Sequence, residues 1–295
     1  MRTGDRGFRQ GLLKSRLACI YTDLDGTLLG AGASLFRTVD GRFTLLPARA
    51  LELCHRAGVE VVLMSGRKRV QVAEDARLIG QDAFIYELGG GLAVGGEDFL
   101  LVSDRWLPRR SGETVFDRVA ASGAPALLLE RFRGRLEPHS PWHRERRITH
   151  LFRGFVELEE AQQVLADAGF GDLRLVDNGV LPAGECQLPL PGPAHAYHLL
   201  PQPASKAFAV ARHMAIRGLG RARCVAIGDS REDLAVAPLV SRFFLVRNAL
   251  EEDPSLAREL GHFDNVETTE AACGEGFYEA VVRSLAGVDA QSACA

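Results

Sequence analysis

Two carboxylates set the chemistry of this chain. In Cys19-Ile20-Tyr21-Thr22-Asp23-Leu24-Asp25-Gly26-Thr27 an apolar run ends in Asp23 and Asp25, followed by a Gly-Thr turn. In an extended backbone, residues i and i+2 point to the same side, so the two acids converge just past a strand end. Gly26 lets the chain turn away there, and the Thr27 hydroxyl with nearby amides can hold an anion. Two further apolar runs end in polar groups, Ser65-Gly66-Arg67 and Gly228-Asp229-Ser230, and Asp233 lies one helical turn beyond Asp229. Asp23, Asp25 and Asp229 brought together form an oxygen-rich cluster that is costly to hold without a cation. Hard carboxylate donors with no His or Cys among them point to Mg²⁺.

The elements that must position these groups follow from periodicity. Strands are expected from Leu17 to the acidic turn and at 59–64 and 83–86, with helices at 47–57 and from after Arg67 to about Leu78. Residues 30–46 suggest a glycine-rich loop or small hairpin. Strand–helix alternation implies a parallel sheet with helices on both faces, and ligands sit beyond the carboxyl ends of such strands. From Gly89 to Pro193 the pattern changes. Strands are expected at 92–94, 99–102, 126–132, 148–152 and 173–177, with helices near 112–122 and 157–168. This is an α+β insert of roughly a hundred residues, the size of a small domain, with Pro189, Pro191, Gly192 and Pro193 as the return linker. The first pattern then resumes with a strand at 196–200, a helix from Ser205 to about Arg217, strands at 224–227 and 243–246, a helix from Arg231, and a last helix at 276–285. The expected division is an extension at 1–16, an α/β core at 17–88 and 194–286, and an inserted α+β cap at 89–193, with a frayed tail from Gly287.

Composition bounds the function. The 295 residues are 46% hydrophobic and 25% charged, ordinary for a soluble globular protein. A net charge of −3 gives no reason to expect nucleic acid or an anionic membrane as partner. No stretch is long and apolar enough to span a bilayer. The basic first sixteen residues lack a signal-peptide core, and the six scattered cysteines fit a reducing, cytoplasmic compartment. Only Lys14, Lys68 and Lys206 among 35 basic residues are lysine, which singles out each position where a compact point charge is kept.

In the order of these motifs the chain resembles the haloacid dehalogenase-like (HAD) phosphohydrolase superfamily. Asp23-Leu24-Asp25-Gly26-Thr27 matches its first motif, Ser65 the second, Lys206 the third, and Gly228-Asp229-Ser230 with Asp233 the fourth. The insert between the second and third motifs resembles the large-cap branch of Cof-like, sucrose-phosphate and mannosyl-phosphoglycerate phosphatases. The resemblance implies a Rossmann-like core, with Asp23 as nucleophile and Asp25 as general acid and base. It also implies Mg²⁺ held by Asp23, the Asp25 carbonyl and Asp229 with support from Asp233, and phosphate bound by Ser65, Gly66, Thr27 and Lys206. The implied substrate is a small phosphorylated metabolite, a sugar phosphate or a phosphoglycerate glycoside. The sugar phosphomutases share the first motif, and a phospho-ligand-binding regulator is the non-enzymatic alternative. Three positions depart from the common pattern: Glu232 stands for Asn, Ala207 for Gly, and Leu88 for Asn where the cap begins. Substrate-contact candidates are Arg67, Trp142, Asn178 and His195, whereas zinc on His139, His143 and His150 has no cysteine or helical alignment in its favour.

Overall fold

A computed structural model describes residues 17–182 and 184–292; the expected extension at 1–16 lies outside the described residues. The first part of the chain runs β1 (Cys19–Asp23), α1 (Leu46–Ala57), β2 (Glu60–Met64), α2 (Arg69–Leu78), β3 (Ala83–Tyr86), β4 (Gly91–Val94) and β5 (Glu97–Leu100). Then come α3 (Val115–Ser122), α4 (Ala124–Arg131), β6 (Leu136–Pro138), β7 (His150–Gly154), α5 (Leu158–Asp167), β8 (Leu173–Val180) and β9 (His195–Pro201). The last part is α6 (Lys206–Arg217), β10 (Cys224–Gly228), α7 (Arg231–Leu234), β11 (Arg242–Leu245), α8 (Asn248–Glu252), α9 (Leu256–Leu260), β12 (Val266–Thr268) and α10 (Cys273–Ser292).

The core is an eight-stranded sheet in the order β12-β11-β10-β1-β2-β3-β4-β5, parallel from β12 to β3 and antiparallel through the β4–β5 hairpin. Its central strands are buried on both faces, which is why they read as continuous apolar runs. Alternation along β1 sends Ile20 toward α1 and α10, and Cys19 and Tyr21 toward α6. By the same alternation Asp23 lies on the α6 side, where Lys206 waits. Local chemistry fixes the helix ends. Pro47 occupies the first turn of α1, and Gly58 closes it in the left-handed conformation. The Ser205 side chain caps α6 by accepting from the Phe208 N–H.

The cap is a four-stranded antiparallel sheet, β6-β7-β9-β8, with α3, α4 and α5 in the same unit. Its boundaries differ from those expected at 89–193. The hairpin β4–β5 extends the core sheet, because Leu92 and Val94 pack in one cluster with Ala83 and Ile85 of β3. At the other end β9 pairs with β7 and β8, so the strand expected at 196–200 belongs to the cap. The Pro-rich 189–193 stretch lies between β8 and β9, inside the cap, and the return to the core is made at 201–205.

Two further expectations change. Residues 126–132 form most of α4 rather than a strand: Pro125 opens the first turn, and Ala126 and three leucines follow with no β-branched residue. The last helix continues to Ser292, past the fraying expected from Gly287. Elements β6, α8, α9 and β12 had no clear periodic signal because each is only three to five residues long.

Candidate active site

Strands β10, β1 and β2 are neighbours, and their carboxyl ends deliver Asp229, Asp23 and Ser65 to one edge of the sheet. The Lys206 ammonium, 2% exposed, bridges two carboxylates: Asp23 Oδ1 at 2.6 Å and Asp233 Oδ1 at 2.7 Å. Asp233 has a second task. Its Oδ2 accepts from the Ser230 hydroxyl at 2.6 Å and the Ser230 N–H at 3.1 Å, while Ser230 Oγ accepts from the Asp233 N–H. This capping box opens α7 and, with Lys206, holds the two Asp233 oxygens in place.

Asp229 lies against the first turn. Its Oδ1 accepts from the Thr27 hydroxyl at 3.2 Å. A side chain at Gly26, which has φ +82°, would meet Asp229 Oδ2 at 2.2 Å, so this glycine supplies both the positive φ and the close approach. Thr27 was expected to bind phosphate, but it is fully buried and spends its hydroxyl orienting Asp229. Asn248 reinforces the same turn, donating to the Gly26 carbonyl at 2.9 Å and accepting from the Cys273 N–H. No motif marks Asn248 in the sequence.

One ligand oxygen each from Asp23, Asp229 and Asp233 lie within 4.8 Å of one another. Burial pushes the Asp23 carboxyl up to about 7, with the Asp233 charge adding and Lys206 opposing. Burial, then Asp23 and Asp233, raise Asp229 well above the usual carboxylate range. Burial alone would depress Lys206, but Asp23 and Asp233 more than offset it and raise its pKa. Two buried carboxylates and the half-buried Asp229 around one ammonium leave unbalanced negative charge, and the donors are all oxygen. That combination fits a hard divalent cation at Asp23 and Asp229.

Asp25 does not share this cluster's hydrogen bonds. Its carboxylate is forked by Arg67, with Nε at 2.7 Å and Nη2 at 2.5 Å, and Arg67 Nη1 is anchored on Asp75 at 3.0 Å. The Arg67 N–H also donates to Ser65 Oγ at 3.1 Å. Arg67, expected from the sequence to contact substrate, is here the partner of Asp25.

Above the edge, a cavity of about 1190 Å³ separates core and cap. Asp23, Asp25, Ser65, Gly66, Lys206 and Asp229 lie along its floor, and the substrate-contact candidates Trp142, Asn178 and His195 all line it. Trp142 is half exposed, and His195 Nδ1 is paired with Asp177 at 2.8 Å. Sequence reasoning missed the buried cap residues closest to the floor. Arg146 donates to the Gly66 carbonyl at 3.0 Å and to Thr149 Oγ1 at 2.9 Å. A side chain on Gly66 would come within 3.3 Å of His198 Nε2. Burial, then the Arg153 and Arg146 charges, push His139 down to about 4; burial and Arg146 push His198 well below the usual range. The only sequence signal was the Arg- and His-rich run Glu137 to His150, whose folding the sequence leaves open.

Comparison with known proteins agrees with this geometry. No protein-family model matches the chain. It is 29% identical over 228 residues to a phosphoglycolate phosphatase of Halorubrum lacusprofundi, covering 77% of this chain and 83% of that protein. A phosphoglycolate phosphatase of Methanoculleus marisnigri is 25% identical over 267 residues, 90% of this chain and 95% of its own. Among solved structures, the Synechocystis sucrose-phosphatase with sucrose and phosphate superposes with a TM-score of 0.62 at 16% identity, covering 91% and 98% of the two chains. A HAD subclass IIB sugar phosphatase gives a TM-score of 0.58 at 14% identity, covering 92% and 99%. The chain shares the fold of this HAD subclass IIB phosphatase. A core with an inserted cap, shared with these structures, accounts for the two sheets described above. The departure at Glu232 also gains a reason: its carboxylate is forked by cap residue Arg174 at 3.0 and 2.9 Å, tying α7 to β8.

Proposed function

We propose that this protein is a Mg²⁺-dependent phosphatase that hydrolyses a small sugar phosphate through an aspartyl-phosphate intermediate. The observation that carries the reading is the buried Lys206 bridge between Asp23 and Asp233, with Asp229 beside it on the neighbouring strand end. A simple anion-binding pocket has no use for three clustered carboxylates, two of them buried.

An Asp23 carboxylate oxygen attacks phosphorus as the ester P–O bond breaks. Asp25 gives its proton to the departing alkoxide, then takes one from the water that hydrolyses the acyl phosphate. Arg67 holds Asp25 at the cavity wall. Ser65 and the Gly66 amide bind phosphate oxygens, and Lys206 screens charge on nucleophile and phosphate. Asp23, Asp229 and the Asp25 carbonyl would hold Mg²⁺, which when bound neutralises charge between nucleophile and phosphate. Asp233 contributes by fixing Lys206 and the start of α7.

The cavity supports a polyol as the leaving group. Its volume of about 1190 Å³ exceeds what a two-carbon acid fills, and Asp177, Asn178, Glu185 and Glu252 offer hydroxyl partners, with Trp142 available to stack on a ring. Arg146 and the phosphoglycolate phosphatase relatives favour a second reading, a short phosphorylated acid.

The test is phosphate release from sugar phosphates, phosphoglycolate and phosphoglycerate glycosides, with and without Mg²⁺, beside an Asp23→Asn control. Mg²⁺-dependent release from sugar phosphates, absent in the control, is expected. A preference for phosphoglycolate selects the second reading. Phosphate transfer within a sugar bisphosphate would make the protein a mutase, and binding without turnover would make it a regulator.

A further inference from the structure

A second group of donor atoms sits at the opposite, amino-terminal end of the same strands. The register places Cys224, Cys19 and Glu60 side by side on β10, β1 and β2, with roughly 4.8 Å between neighbouring strands. Cys19 and Cys224 face α6, packed with Tyr21 and Ala226. His213 of α6 reaches this row from above. Its Nδ1 is 2.8 Å from the Tyr21 hydroxyl, and its Nε2 is 3.7 Å from Glu60 Oε1. His213 is fully buried, yet Nε2 has no hydrogen-bond partner. One ligand atom each from Cys19, Glu60 and His213 lie within 4.8 Å of one another.

We propose that Cys19, Glu60 and His213 form a site for a thiophilic divalent cation of the zinc class. A sulfur, an imidazole nitrogen and a carboxylate oxygen are a borderline-soft donor set, the complement of the all-oxygen set at the other end of β1. Tyr21 gives His213 the partner a metal-bound imidazole needs. In the tautomer with Nδ1–H donating to the Tyr21 oxygen, the Nε2 lone pair is free for a metal. Arg217 addresses Glu60 through Oε1 alone, at 2.8 and 3.1 Å. Burial holds both thiols protonated in the metal-free protein, so the metal–sulfur bond forms as the Cys19 S–H proton leaves to solvent. Glu60 is the partly exposed member of the set and gives the ion its way in. Cys224 stands next to Cys19 as a further sulfur.

The site's placement gives it a consequence. His213 and Lys206 are two turns apart on one face of α6, and Cys19 precedes Asp23 on β1 by four residues. An ion bound here ties together the two elements whose far ends form the Asp23–Lys206 pair.

The experiment is an anaerobic Co²⁺ titration of the reduced, metal-free, full-length protein. The expected result is a sulfur-to-cobalt charge-transfer band saturating at one equivalent, displaced by Zn²⁺. The band should persist in Asp229→Asn, which removes the oxygen site, and should be lost in Cys19→Ala and in His213→Gln. No such band in the wild-type protein overturns the proposal without reference to any variant's folding. A band that survives both Cys19→Ala and His213→Gln overturns it as well.

Discussion

Lys206 is the residue on which the acidic edge of the sheet is balanced. Buried charges of like sign destabilise a fold unless an opposite charge is fixed among them. Replacing Lys206 with Met leaves Asp23 and Asp233 facing each other, and a loss of about 3–5 kcal/mol is expected, measured as a lower urea midpoint. Mg²⁺ should recover part of it. Asp23→Asn tests the nucleophile from the other direction, because it removes a buried charge and keeps the shape. That variant should fold with a melting temperature at or above the wild type at pH 8 and release no phosphate above background. Asp25→Asn should lose about 10²- to 10⁴-fold in kcat with little change in melting temperature. The sequence made these carboxylates legible because spacing and strand ends are local properties. Arg67 on Asp25, Asn248 behind Gly26 and Arg174 on Glu232 were not, since each contact joins residues far apart in the chain.

At the scale of elements, helix ends and buried parallel strands could be read from the sequence. Caps such as Ser205 and stops such as Gly58 act within a few residues. Sheet membership could not be read in the same way: β9 looks like any apolar run, and only pairing with β7 and β8 assigns it to the cap. One cap strand carries its own pH response. His150 on β7 stacks on Phe116 with ring centroids 3.8 Å apart, and its Nε2 is 3.0 Å from the Phe116 carbonyl oxygen. Burial pushes this histidine down to about 4. Its unfolded value is about 6.5. Between those values the unfolded chain binds the extra proton, so stability is intact above 6.5 and falls as pH drops toward 4. The expected slope is about 1.4 kcal/mol per pH unit. Thermal melts from pH 7 to 4.5 should show this decline, and His150→Gln should remove its share while those of His139 and His198 remain.

For the whole molecule, the contacts between core and cap decide how substrate is enclosed. Glu87, fully buried where the core chain turns toward the cap, accepts from the N–H groups of Arg147, Ile148 and Thr149 at 3.0, 3.0 and 2.7 Å. Lys68 adds a pair with Glu145 at 3.1 Å, and Arg174 grips Glu232 on the far side. Breaking the last pair with Glu232→Gln should cost roughly 1 kcal/mol of closure, about a five-fold rise in KM for a sugar phosphate. Hydrolysis of a small aryl phosphate, which asks less of the cap, should change little. The two-unit plan was visible in the sequence as a change of pattern. Its seams were displaced because a hairpin that interrupts strand–helix alternation still hydrogen-bonds to the core sheet.

The central place of β1, between β10 and β2 in the eight-stranded sheet, has a consequence for motion. Its amides are covered by partners on both edges and by packed side chains on both faces, so they open only with the whole core. In hydrogen–deuterium exchange they belong with the slowest protons of the molecule, whereas exposed β5 at the sheet edge should exchange early. The proposed nucleophile, Asp23, therefore rides on the part of the protein that breathes least, and is expected to stay in place while the cap loosens and reseats.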